Sequence, residues 1–257
     1  ASRHAAGKEA CNYCSLTSQH VAASGRHFWD TMSCLVNQVS AIDWKGALGI
    51  MCYHVGDDMG SDIPLMREIH GAMPDWARDS SCFLRHRMYA WYVPSLTYAE
   101  LLREIGVRWL YIGGDGKVGF TNEWSERHPF IRTLRHCRQT GLAVRSSYVL
   151  GQPGQTWDEV KSWIAFNRRV LSEFGSQMSL VTHGWVNVVT PGSPNWRLLA
   201  SKYPEFDQSD FVDLEYAQCL ILRDFTHLSS GGREPRQLLH ELYAVAEQEL
   251  RILPRKS

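Results

Sequence analysis

Leu142-Ala143-Val144-Arg145-Ser146-Ser147-Tyr148-Val149-Leu150-Gly151-Gln152-Pro153-Gly154-Gln155-Thr156 decides the fold. Residues 142–150 read as a strand, entered through Gly141, a glycine suited to ending a helix. Gly151 to Gly154 is a glycine-proline turn. Thr156 then reads as the N-cap of a helix over 156–174, with Glu159 three residues later completing a capping box. Val160, Ile164, Val170, Leu171 and Phe174 keep roughly helical spacing along it. Strand, turn and amphipathic helix make one βα unit.

The same unit recurs outward in both directions. Ala47–Tyr53 and Val107–Ile112 read as strands, the second entered from Ile105-Gly106. A weaker strand lies within 80–92, and the last spans 180–189, closed by Pro191-Gly192. Helices are expected near 27–43, 62–76, 96–105 and 123–140, with two more at 209–227 and 235–252. Short apolar runs alternating with amphipathic segments argue for an α/β fold with a parallel sheet.

The chain has 257 residues, of which 44% are hydrophobic, enough for one large α/β domain or two small ones with a real core. Lys+Arg and Asp+Glu are both 27. That balance gives no basic excess for nucleic acid, so small-molecule or peptide substrates fit better. No apolar run approaches a membrane span. The start, Ala1-Ser2-Arg3-His4-Ala5-Ala6-Gly7, lacks the apolar core of a signal peptide. Seven cysteines, at 11, 14, 34, 52, 82, 137 and 219, are scattered rather than framed for disulfides. A reducing, cytoplasmic setting is expected. Ten Trp and ten Tyr can line a cavity or fill a core equally well.

Near the N-terminus, Ala10-Cys11-Asn12-Tyr13-Cys14-Ser15 places two thiolates two residues apart, a spacing that can clasp a metal cluster. A C-x₂-C pair is also met as two ordinary thiols or as half of a zinc site, which would need a second pair. With the Gly151-Gln152-Pro153-Gly154-Gln155-Thr156 turn, the pair resembles the radical S-adenosylmethionine (SAM) superfamily. Leu101–Gly113 resembles its cobalamin-associated group. The resemblance covers about residues 1–195. It implies a partial (β/α)6 TIM-like barrel over 1–195, followed by a C-terminal helical extension over 196–257. The five strands would be the second to sixth. Residues 1–10 are too short and polar for the first, so the chain is expected to be a fragment cut within that strand or a divergent member.

The resemblance further implies a 4Fe-4S cluster and SAM as cofactors. Cys11 and Cys14 would be metal ligands, matching the second and third cysteines of the family pattern. The first falls at position 7, where Gly7 stands. The third ligand stays open between a substitution, a group upstream or His4, Cys34 reaching back, and a barrel that holds no cluster. The remaining cysteines read as buried structural thiols. Chemistry in such barrels sits at strand C-termini. Asp57 or Asp58 would accept from the SAM amino group. Asp115 would bind the ribose, although that group usually reads Gly-x-Glu-Ser here and Gly114-Asp115 departs from it. Gly151, Pro153 and Gly154 would shape the adenine pocket, and Asn187 and Val188 would offer it backbone groups. His183, Trp185, Arg145, Tyr53 and Tyr148 are weaker cavity candidates, with packing the plainer reading.

By resemblance, the reduced cluster cleaves SAM and a 5′-deoxyadenosyl radical abstracts a hydrogen from a small-molecule or peptide substrate. Methyl transfer is one outcome. An electron donor such as flavodoxin or ferredoxin would be needed, and any cobalamin would come from a domain outside this chain. The other reading is a degenerate, catalytically inactive barrel serving as a binding or partner subunit.

Overall fold

The computed structural model describes residues 25–40, 50–53, 59–78, 84–90, 92–113, 124–206, 213–229 and 232–250. Five strands form one parallel sheet: β1 (Ile50–Tyr53), β2 (Leu84–Tyr89), β3 (Val107–Gly113), β4 (Ala143–Leu150) and β5 (Leu180–Val186). They lie side by side in the order they occur in the chain. With right-handed crossovers, an order that never reverses places every crossover helix on one face of the sheet. The winding is therefore that of a barrel segment rather than of a doubly wound sheet.

The helices in chain order are α1 (Gly25–Ser40), α2 (Ile63–Gly71), α3 (Asp75–Arg78), α4 (Leu96–Ile105), α5 (Pro129–Thr140), α6 (Trp157–Phe174), α7 (Pro194–Lys202), α8 (Leu214–Phe225) and α9 (Pro235–Gln248). Local chemistry sets their ends. Ser95 caps α4 by accepting from the Tyr98 N–H, and Gly106 closes it at φ +101°. His128 caps α5 with Pro129 in its first turn, and Gly141 closes it in the left-handed region. The Thr156–Glu159 capping box is fully formed.

Where expectation and structure differ, the reasons are local. The helix expected over 62–76 ends at Gly71, and a separate short α3 starts after Pro74. The helix expected from 123 begins at Pro129. The last strand stops at Val186 rather than Val189, because the Asn187 side chain and carbonyl turn into a polar network described below. Helix α7 was not foreseen, although Ser193-Pro194 is a cap-and-first-turn signal and Ser193 Oγ accepts from the Trp196 N–H.

One apolar core lies between β1–β4 and helices α1, α2, α4 and α5, through Met66, Met88, Leu102, Leu110, Leu134 and Val144. A second joins β4, β5 and α6 to the C-terminal helices, through Tyr148, Leu150, Val160, Val186, Leu222, Leu238 and Leu242. Helices α8 and α9 thus share a core with the sheet. Helix α9 approaches β5 so closely that a Cβ on Gly184 would sit 2.7 Å from Ala246 Cα. Helix α7 is tied to α8 through Asp224, which accepts from Tyr203, Lys202 and Arg223. Arg223 above all holds its carboxyl well below the usual carboxylate range.

Candidate functional site

Side chains alternate across a strand, so helices on one face leave the other to line the barrel interior. On β4 the residues Val144, Ser146, Tyr148 and Leu150 face the helices and are buried, while Arg145, Ser147 and Val149 are half-buried on the concave face. Parallel register carries this phase across the sheet. Tyr111 pairs with Arg145, Gly113 with Ser147, and Val149 with Trp185. The concave face therefore presents Arg85, Arg87 and Tyr89 from β2, Trp109 and Tyr111 from β3, Arg145 and Ser147 from β4, and His183 and Trp185 from β5.

This face is cationic and aromatic. Its strand residues include three arginines, Arg85, Arg87 and Arg145, and the five strands carry not one Asp or Glu. In a chain whose formal charges cancel, that is a local positive field over the interior. At its centre stands the Tyr111 ring. The guanidinium carbon of Arg87 lies 4.3 Å from its centroid and that of Arg145 4.9 Å away. Tyr89 stacks on Tyr111 with centroids 4.9 Å apart. Arg145 Nε donates to His183 Nε2. Because a guanidinium can only donate, His183 Nε2 must carry its lone pair here, which places the ring hydrogen on Nδ1. Trp185 meets the His183 ring edge-on at 5.5 Å and remains 54% exposed. Tyr89 on the same face is also exposed, so two rings stand open there.

The 151–156 turn closes β4 at its C-terminal end, as expected. Gly151 and Gly154 have φ of +75° and +77°, conformations that favour glycine. The turn's polar groups point inward. The Gly151 N–H donates to Gln155 Oε1 at 2.6 Å, and the Gly154 N–H donates to the Phe225 carbonyl at 2.6 Å. The His227 N–H donates to the Gln155 carbonyl at 2.9 Å. A Cβ on Gly151 would meet Leu222, Leu242 and Val186. The turn thus faces the C-terminal helices and acts as the joint between barrel and α8. Asn187, expected to offer its backbone to a ligand, has that backbone engaged within the protein. Its N–H donates to the Leu150 carbonyl at 2.7 Å and its carbonyl accepts from Gln218 Nε2 at 2.8 Å. Its Nδ2 donates to the Gly151 carbonyl and its Oδ1 accepts from Asn195. Asn187 is a staple for the turn. Val188, beside it, is exposed.

Cys11, Cys14, Asp57, Asp58 and Asp115 lie outside the described residues, as do Gly7 and Cys82. The described cysteines divide. Cys52 and Cys137 are buried, as expected, and burial pushes the Cys137 thiol up to about 12. Cys34 on α1 is exposed and Cys219 half-buried, so neither is a core thiol. Among the described residues, no three His, Cys, Asp or Glu side chains are placed to hold a metal ion. Among them, no helix is long and apolar enough to cross a membrane.

His183, Trp185 and Arg145, weighed as cavity candidates, do face the interior, whereas Tyr148 is fully buried against the helices. Arg87, Tyr89 and Tyr111 were not singled out from sequence. The available signal was phase: in Leu84-Arg85-His86-Arg87-Met88-Tyr89 the arginines alternate with residues that belong in a core.

No family model and no curated protein match the chain. Solved structures do. One is the radical S-adenosylmethionine methyltransferase TsrM from Kitasatospora setae with cobalamin and a 4Fe-4S cluster bound: 19% identity, 66% of this chain, 34% of that chain, TM-score 0.41. Another is the same enzyme with tryptophan substrate and a SAM analogue bound: 19% identity, 66% of this chain, 33% of that chain, TM-score 0.39. The chain spans about a third of the length of these structures.

Proposed function

We propose that this chain is the barrel of a radical SAM enzyme that modifies a small-molecule or peptide substrate, with methyl transfer as one outcome. The observation that carries the reading is the Gly151–Thr156 turn. Its family-like sequence closes a strand at the C-terminal end of a singly wound parallel sheet, the end at which such barrels do chemistry.

The concave face fits a ligand that is part ring and part zwitterion. Tyr89 and Tyr111 offer ring surfaces, Ser147 a hydroxyl, and Gly113 a strand end that a ligand can approach closely. Cys11 and Cys14 would hold the 4Fe-4S cluster. Asp57 or Asp58, which follow β1, would accept from the SAM amino group, and Asp115, two residues beyond Gly113, from the ribose hydroxyls. The cluster and SAM, when bound, supply reductive cleavage of SAM and a 5′-deoxyadenosyl radical. The residues described here would orient the ligand and keep water from the reacting atoms: rings on one side, the Asn187-stapled turn behind β4 and β5, and α8 and α9 packed over it. Gly151, Pro153, Gly154 and Asn187 would shape the pocket from behind, through that staple. A flavodoxin- or ferredoxin-type donor would deliver electrons, and cobalamin, where used, would come with another domain.

The test is the product. Anaerobically reconstituted protein, given SAM and dithionite, should form 5′-deoxyadenosine and methionine by mass spectrometry, and form neither without reductant. An iron-loaded protein that binds SAM and leaves it whole would contradict the radical reading and leave a SAM-binding barrel of another chemistry.

A further inference from the structure

Arg145 is held in an unusual way for an interior guanidinium. Its Nε is fixed by His183 and its plane lies near the Tyr111 ring. Among the described residues it has no carboxylate partner, and its two Nη groups have no hydrogen bond. Every arginine N–H wants an acceptor, and a guanidinium tethered at Nε keeps its outer fork for a bidentate one. The tether also removes rotamer freedom before any ligand arrives. Next along the same face stands the exposed indole of Trp185, edge-on to His183. A fixed fork beside an open indole suits a ligand with an anionic group at one end and a flat or apolar body at the other.

We propose that Arg145 is the anion-binding residue of the concave face. It takes the carboxylate or phosphate of a small acidic substrate, with His183 as its positioning residue and Trp185 packing the substrate body. The inference rests on the barrel reading above and narrows its substrate from any small molecule or peptide to an organic acid. Arg145 sits two residues before Ser147 on β4, one row deeper than the strand ends proposed for SAM. This anion is assigned to the substrate, and competition by SAM decides between the two ligands.

Binding tests this without cluster or turnover. The full chain is titrated by NMR, following the arginine Nε–Hε resonances, with benzoate, phenyl phosphate and neutral benzamide. One or both anions should shift one arginine Nε–Hε signal and bind roughly tenfold or more tighter than benzamide. Arg145→Gln should erase the discrimination and the shifting signal. Arg145→Lys should keep the charge but weaken the anion about tenfold, because it lacks the fork. His183→Gln should weaken it less, with Arg145 intact. Stronger benzoate than phenyl phosphate binding assigns a carboxylate, and the reverse a phosphate. Equal binding of benzoate, phenyl phosphate and benzamide by the unsubstituted protein overturns the proposal, whatever the variants do. So does full discrimination in folded Arg145→Gln. Displacement of benzoate by saturating SAM also overturns it, since the fork would then serve SAM. Discrimination that holds while no 5′-deoxyadenosine forms would sink the radical reading and leave the anion site standing.

Discussion

Gly151→Val is expected to destabilise the protein by about 2–5 kcal/mol, more than the same exchange at Gly154. Two costs combine. Gly151 has φ +75°, where an L side chain costs roughly 1–2 kcal/mol and a β-branched one more. Its Cβ would also lie 3.0 Å from Leu222 Cδ2 and 3.4 Å from Leu242 Cδ1, in the core that joins the sheet to α8 and α9, where overpacking costs about 1–3 kcal/mol. Gly154 separates the two. It has nearly the same φ, +77°, but a Cβ there meets nothing within 4 Å. Gly154→Val should carry only the backbone cost. Urea unfolding of both variants checks this, with amide exchange expected to rise first in α8 and α9 for Gly151→Val. Equal losses at the two positions would show that the turn is not packed against those helices.

The second large effect is on iron. Cys11→Ser and Cys14→Ser should each reduce reconstituted iron from about four per chain to background, since a hydroxyl does not replace a thiolate at such a cluster. Cys137→Ser should leave the iron count unchanged, because that thiol is fully buried and held protonated up to about 12. Cys34→Ser is the informative third variant. Cys34 is exposed on α1, so a loss of iron there would assign the ligand that Gly7 cannot supply, and no loss would assign it elsewhere. Iron and acid-labile sulfide measured on each variant decide among these outcomes. Full iron retention in Cys11→Ser and Cys14→Ser together would end the cluster assignment.

The parts of the fold that were legible in sequence are those fixed by local chemistry. The end of α4 and the start of α6 follow from Gly106, which closes α4 in the left-handed region, and from the Thr156–Glu159 capping box. Strands β3 and β4 are legible because each is largely apolar on its helix face and is entered through a helix-ending glycine, Gly106 or Gly141. The break at Pro74 was readable in principle, but the apolar period of 62–76 runs across it. The candidate site was less legible for a physical reason. Each of Arg87, Tyr111, Arg145 and His183 is an ordinary strand residue, and only register across four strands sets two guanidinium groups over one ring and a histidine against one of them. The turn was read correctly as a turn. That its glycine faces Leu222 and Leu242 depends on helices some 70–90 residues downstream, which local sequence does not encode.

The most direct test of the radical SAM assignment is the electron paramagnetic resonance spectrum of the anaerobically reconstituted, reduced protein, recorded with and without SAM. The expected result is the signal of a reduced 4Fe-4S cluster that changes shape when SAM is added. A folded protein that holds no cluster, or a cluster signal that SAM leaves unaltered, would contradict it.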